Sequence, residues 1–98
     1  MTREEFLAKI KQEQLDLGSM EIETEYLTES PYVLGCYYDK NSRKWRAYET
    51  FERGGYSIID EYDDENQAFD EFYIMVKWEA DGIAKIKEDM RKVRLQGE

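Results

Sequence analysis

The chain has 98 residues, 41% of them hydrophobic, 14% aromatic and 38% charged, and its 23 acidic and 14 basic residues give a net charge of −9. This size and aromatic content argue against a disordered chain and predict one domain, residues 1–98, with a modest core. The acidic excess disfavours binding to nucleic acid or anionic membranes, because such binding requires Lys and Arg at phosphates. The negative charge either attracts a basic protein partner or only keeps the chain soluble.

The N-terminal segment predicts a helix from Thr2 to Leu17. Thr2 and Glu5 have the spacing of a capping box, and apolar residues then recur at helical spacing. Gly18 stands where a left-handed C-terminal cap is usual. Residues 19–28 alternate glutamates with larger, less polar side chains, which predicts a strand with one wet face at the edge of a sheet.

Three Tyr-rich apolar runs follow between Tyr32 and Tyr62, separated by two groups of turn residues. They predict an antiparallel meander with strands near 32–38, 44–51 and 56–62, since Gly54 and Gly55 supply the positive φ that a tight turn needs. Both faces of the predicted sheet carry apolar or aromatic side chains. Either helices cover both faces, or one face is offered to a partner.

The C-terminal segment predicts a long helix from Asp64 to Arg94, beginning with the capping-box spacing of Asp64 and Gln67. An unbroken helix of this length would measure about 46 Å, which exceeds the roughly 32 Å diameter of a compact domain of this size. Because Gly costs about 1 kcal/mol inside a helix, we expect a kink or break near Gly82. The predicted fold is therefore α+β: a helix, a four-stranded antiparallel sheet and a long C-terminal helix.

Candidate catalytic chemistry is sparse in this chain. There is no histidine, which removes the commonest general acid or base and the commonest zinc ligand. Cys36 has apolar neighbours, so we expect a buried structural thiol. Glu49 and Glu52 could support glycosidase-like chemistry only if a concave pocket held two acids. We expect no enzymatic activity, no cofactor and no metal, and a cytoplasmic location, since no signal peptide or membrane-spanning run is evident.

The acidic residues are concentrated in one stretch. Residues 49–71 hold nine acids and one base, Arg53, which accounts for −8 of the net charge of −9. This pattern is typical of a solvated helix start, a docking patch for a basic partner or a cation site. An EF-hand loop starting at Asp63 is excluded, because Ala68 occupies the position that requires glycine.

Three runs of the predicted meander occur in a recognisable combination: GCYY (35–38), WRAYET (45–50) and ERGGY (52–56). An acidic turn and a helix containing Ala68 and Phe69 follow. Between Tyr32 and Ile74 this combination resembles the immunity protein 59 family, which is encoded beside bacterial polymorphic toxins. The resemblance implies a small, non-enzymatic α+β protein that binds and blocks a cognate toxin.

We therefore predict that the meander contains a surface that binds a toxin domain. Aromatic side chains would supply buried contact area, and acids would pair with Lys or Arg of the toxin. The predicted partner-binding residues are Tyr37, Trp45, Tyr48, Glu49, Glu52, Arg53, Tyr56, Asp60 and Glu61. The alternative is a non-enzymatic, homo-oligomeric structural or regulatory domain that pairs through its aromatic sheet face. A homodimer is compatible with either function.

Overall fold

A computed structural model describes the backbone of residues 1–96 and the side chains of residues 1–91. The strands form one sheet in the order β1-β2-β3-β4, and both helices pack on the same face of it. The predicted α+β class is confirmed. The elements are α1 (Arg3–Glu13), β1 (Glu21–Glu23), β2 (Val33–Asp39), β3 (Lys44–Thr50), β4 (Tyr56–Tyr62) and α2 (Glu65–Gln96).

The sheet is mixed, so the prediction of a purely antiparallel sheet is wrong at β1. β1 pairs in parallel with β2, with Glu21 opposite Val33, whereas β2, β3 and β4 form the predicted antiparallel meander. A parallel pair needs a connection that crosses one face of the sheet. Residues 24–32, which we call the strap, make this connection. They leave the sheet after Glu23, which reduces the predicted strand over 19–28 to three residues.

Helix α1 begins at the predicted capping box and ends earlier than predicted. The Glu5 N–H donates to Thr2 Oγ1 at 3.2 Å, and the Thr2 N–H donates to Glu5 Oε1 at 2.9 Å. The helix ends at Glu13 because Gln14 adopts the left-handed conformation with φ 48°. Gly18 therefore belongs to a later turn and does not cap this helix.

Helix α2 runs without interruption through Gly82, so the predicted break is wrong. Its start is as predicted, since Asp64 Oδ2 accepts a hydrogen bond of 3.2 Å from the Gln67 N–H. The length of the helix is accommodated by the shape of the molecule, which extends 57 Å along its longest axis. Within residues 1–96, no helix combines the length and the apolar content needed to cross a bilayer.

The main core lies between the helices and the sheet and is organised by aromatic rings. Phe6 of α1 packs against Phe69 and Phe72 of α2 with ring centroids 5.4 and 5.0 Å apart. Trp45 of β3 meets Phe69 edge-on at 5.6 Å. Burying each such side chain contributes about 1.5–3 kcal/mol, so this cluster fixes α2 across the sheet.

Candidate functional site

The predicted partner-binding residues are divided between the two faces of the sheet, because successive side chains of a strand point to opposite sides. Strand register places Trp45, Glu49 and Asp60 on the side of the sheet that faces the helices. It places Tyr37, Tyr48, Tyr56 and Glu61 on the other side. Glu52 and Arg53 occupy the turn between β3 and β4. The structure therefore does not bring these nine residues into one patch.

Tyr48 and Tyr37 are buried, so they supply no contact area to a partner in this structure. Tyr48 is 0% exposed and Tyr37 is 8% exposed, and their rings meet edge-on at 5.6 Å. The Tyr48 hydroxyl donates to the Tyr26 carbonyl at 2.9 Å and accepts from the Thr28 N–H at 3.2 Å. Burial raises the pKa of Tyr48 to about 12. The strap thus covers the second face of the sheet.

Thr50 fixes the other end of the strap. Its Oγ1 accepts from the Val33 N–H at 2.8 Å and donates to the Ser30 carbonyl at 2.6 Å. These bonds satisfy backbone groups that would otherwise be left unpaired near the buried start of β2. Tyr48 and Thr50 lie on the same face of β3, and both hold the strap against it. The strap is therefore the segment that covers the second aromatic face of the sheet.

Trp45 and Cys36 belong to the core. Trp45 is half-buried between Phe69 and Tyr38, whose ring centroid lies 5.3 Å away. Cys36 is 0% exposed, as predicted, and desolvation raises the pKa of its thiol to about 12. A thiol with so high a pKa is a poor nucleophile. Among the residues with described side chains, no group of three or more potential ligands is arranged to hold a metal ion.

Strand β4 forms an exposed acidic edge, which we define as Tyr56, Ile59, Asp60 and Glu61. No other described strand pairs with the outer side of β4. A bulge places Ile59 between the residues opposite Ala47 and Tyr48, and 43% of Ile59 and 44% of Tyr56 remain exposed. Bulges and charges on an outer strand discourage unselective pairing, so this edge suits a partner with complementary charge.

The two acids of this edge differ in their surroundings. Glu61 lies 3.8 Å from the Arg46 guanidinium on the strap side of the sheet. Asp60 has no Lys or Arg within ion-pair distance in the described part of the chain, and its Oδ1 accepts from the Glu61 N–H at 2.8 Å. Asp60 is therefore the acid of this edge whose charge is not balanced within the molecule.

A second exposed surface, which sequence reasoning missed, lies on α2 around Trp78. Trp78 is 74% exposed, the largest exposed fraction among the described large apolar side chains. We call its row the ridge: Ile74, Trp78, Gly82, Ile86 and Met90, five exposed positions spaced by four. The signal was present in the sequence as a second apolar row, beside the stripe that enters the core.

A cleft of about 290 Å³ opens between the ridge and the sheet. It holds two carboxylates, Glu49 and Glu79, so the carboxylate-enzyme hypothesis retains a concave site. Its volume is at the lower end of the roughly 300–1,000 Å³ typical of small-molecule sites, and most of its walls are apolar, which suits side chains of a protein partner. The lining residues are Leu34, Glu49, Ile59, Met75, Trp78 and Glu79.

No protein-family model, curated protein or solved structure matches this chain. The resemblance to the immunity protein 59 family therefore stays a prediction, and functional interpretation depends on the acidic edge, the ridge and the cleft.

Proposed function

We propose that this chain is a bacterial immunity protein that binds a basic surface of a cognate toxin and blocks it in the cytoplasm of the producing cell. The observation that carries the proposal is the acidic edge, an outer strand on which the unbalanced carboxylate of Asp60 stands next to exposed Ile59, with exposed Tyr56 at the start of the same strand. The resemblance of residues 32–74 to immunity proteins supports the same function.

Charge and apolar contact area contribute to toxin binding in different ways. The concentration of −8 charge in residues 49–71 attracts a basic toxin and raises the association rate, by about 10-fold to 1,000-fold in electrostatically steered pairs. Tyr56 and Ile59 add apolar contact once the surfaces meet. The backbone groups on the outer side of β4, which no other described strand pairs, can accept an additional strand from the toxin.

The alternative function, pairing of two copies through the aromatic sheet face, is not favoured by this fold. The strap occupies that face and buries Tyr37 and Tyr48 within one chain. A partner would have to displace the strap and break its bonds to Tyr48 and Thr50 first.

The proposal is tested with the product of the toxin-like reading frame that we expect beside the gene. The chain should protect cells that express this product, and the two purified proteins should form a complex. Asp60→Lys combined with Glu61→Lys should lower the association rate about tenfold or more at low salt, because both changes reverse the field at the acidic edge.

The matched control is Glu4→Lys combined with Glu29→Lys, two exposed acids of α1 and of the strap. It changes the net charge by the same amount without changing β4, so it should have the smaller effect. Circular dichroism must show that every variant is folded. Equal effects of the edge and control variants would contradict the proposed surface, and absence of any complex would contradict the function.

A further inference from the structure

The cleft between α2 and the sheet has the size and shape to receive one long side chain. Leu34 and Glu49, which are paired residues of β2 and β3, line it on the sheet side, and Met75 and Glu79 of α2 line it on the helix side. Met75 and Glu79 are four positions apart, so both lie on one face of the helix. At about 290 Å³ the cleft is smaller than most sites for drug-sized ligands.

Two carboxylates in this cleft lack a counter-charge. Glu49 and Glu79 are half-buried, and within the described part of the chain neither has a Lys or Arg within ion-pair distance. A carboxylate among apolar neighbours loses part of its hydration, and a hydrogen-bonded cation offsets that loss. The cleft therefore favours a positively charged group over a neutral or an anionic one.

Trp78 gives a second, independent reason to expect a cation. It lines the same cleft and is 74% exposed, and tryptophan is the side chain whose aromatic face attracts cations most strongly. Among the residues with described side chains, the cation that lies over an aromatic ring is Lys9, above Tyr73, so Trp78 has no such cation from them. An accessible indole beside two uncompensated carboxylates suits a cationic side chain with an apolar stem.

We propose that the cleft binds an arginine side chain of the toxin, with the guanidinium between Glu49 and Glu79 and against the Trp78 ring. The inference rests on the proposed function, because the arginine belongs to the basic surface of the toxin. The methylene stem of the arginine packs on Leu34 and Met75, as the stems of long charged side chains do on apolar surfaces.

Arginine fits this site better than other cations do. Its planar guanidinium has five N–H donors, so it can bond two carboxylates at once and also stack on an indole. Lysine carries a more compact and more strongly hydrated charge, which is harder to bring into a partly apolar cleft. A divalent metal ion takes more ligands, and no group of three or more potential ligands is arranged to hold one among the described side chains.

The cleft adjoins the acidic edge, so one segment of the toxin can reach both. Ile59 belongs to the acidic edge and also lines the cleft. Asp60 lies on the same side of the sheet as Glu49, because it is opposite Ala47, two positions before Glu49 on β3. The charge of Asp60 thus attracts a basic segment to the place where the cleft can hold one of its side chains.

Butylguanidinium, which reproduces the end of an arginine side chain, tests the site on the protein alone. Titrated into the isotope-labelled chain, it should shift the indole N–H resonance of Trp78 with a millimolar dissociation constant, as expected for a ligand of so few atoms. Glu49→Gln and Glu79→Gln should each raise this constant about threefold or more. Glu71→Gln is the matched control and should leave the constant unchanged, because Glu71 is an exposed acid of α2 that does not line the cleft.

Two analogues of the probe separate the effect of charge from that of shape. Butylurea has a similar shape without the charge, and butylammonium has the charge without the planar fork, so each should bind at least about threefold more weakly. No shift of the Trp78 resonance, equal binding of butylurea, or equal sensitivity to Glu71→Gln would overturn the proposal. Butylammonium binding as tight as that of butylguanidinium would overturn the choice of arginine.

The complex with the toxin tests the same site in its proposed use. Trp78→Ala and Glu79→Gln should each raise the dissociation rate of the complex about tenfold, because buried contacts act mainly on this rate, whereas Asp60→Lys with Glu61→Lys acts mainly on the association rate. A complex that keeps its dissociation rate in both cleft variants would overturn the arginine site and leave toxin binding standing. Absence of any complex would contradict the proposed function itself.

Discussion

Gly35 and Tyr48 together determine how the second face of the sheet is closed. They are paired residues of β2 and β3, and the Tyr48 ring lies directly over the glycine. A Cβ on residue 35 would fall 2.2 Å from Tyr48 Cε1, well inside van der Waals contact. Glycine is therefore needed here for the space that it leaves, and that space lets the Tyr48 hydroxyl reach the strap.

Gly35→Ala should lower the free energy of unfolding by about 1–3 kcal/mol, because the added methyl group forces the Tyr48 ring away from its hydrogen bonds. Urea denaturation followed by circular dichroism measures this change. Ser57→Ala on exposed β4 is the control and should change the free energy of unfolding by less than about 0.5 kcal/mol. Equal stability of the Gly35→Ala variant and the original chain would show that the ring is free to move.

At the scale of single residues, local patterns were predictable and burial by distant segments was not. The capping roles of Thr2 and Asp64 follow from short spacings, and the burial of Cys36 follows from its apolar neighbours. The alternation of β3 correctly placed the side chains of Tyr48 and Ala47 on opposite faces of the sheet. It gave no information about the strap, because a period of two identifies a face but not the segment that covers it.

At the scale of elements, Gly82 weakens α2 without making a packing contact that the described part of the chain requires. Gly82→Ala should raise the free energy of unfolding by about 1 kcal/mol, since alanine favours helix and no atom obstructs its methyl group. Urea denaturation followed by circular dichroism measures this change, and a variant less stable than the original chain would contradict the open space at this position.

The elements themselves were largely predictable, whereas their ends and the parallel pairing were not. The meander followed from turn residues, and both helices followed from apolar periodicity. The strand predicted over 19–28 is shorter in the structure because residues 24–28 leave the sheet, and Tyr26 and Thr28 bond to the Tyr48 hydroxyl instead. The break at Gly82 was expected from helix propensity and from a compact shape. An elongated molecule removes the second reason, and the first costs too little to end a long helix.

At the scale of the whole molecule, buried tyrosines limit stability at alkaline pH. Desolvation raises the pKa of Tyr48 and of Tyr62 to about 12, above the value of about 10 for an unfolded tyrosine. Above pH 10 the unfolded chain loses these protons before the folded chain does, so the free energy of unfolding falls as pH rises. The stabilising effect is complete below pH 10 and is lost by about pH 12.

Chemical denaturation at a series of pH values should therefore show a decrease of about 2 kcal/mol per buried tyrosine between pH 10 and 12. Tyr62→Phe should make this decrease smaller, because phenylalanine has no proton to lose. Tyr26→Phe is the control, since Tyr26 is 58% exposed. Phenolate absorbance offers a second measurement, and ionisation of every tyrosine near pH 10 in the folded chain would contradict the burial.

The net charge and the family resemblance suggest a protein-binding function from the sequence alone. Which residues form each exposed surface could be identified only from the fold. The predicted contact residues are close in sequence, yet the pleat divides them between two faces. The ridge spans seventeen positions of one helix, and it becomes a surface only because α2 extends past the body that covers its other side.

The strap has a consequence for how the molecule opens. Two hydroxyl groups of β3, those of Tyr48 and Thr50, hold the strap, and the ladders among β2, β3 and β4 contain none of its residues. Detachment of the strap would break these bonds, the Arg3–Glu25 ion pair and the bond from the Glu21 N–H to the Tyr32 carbonyl, and it would leave the ladders of the meander intact. Such an opening would uncover Tyr37 and Tyr48 and give the chain a transient aromatic surface at a fraction of the cost of global unfolding.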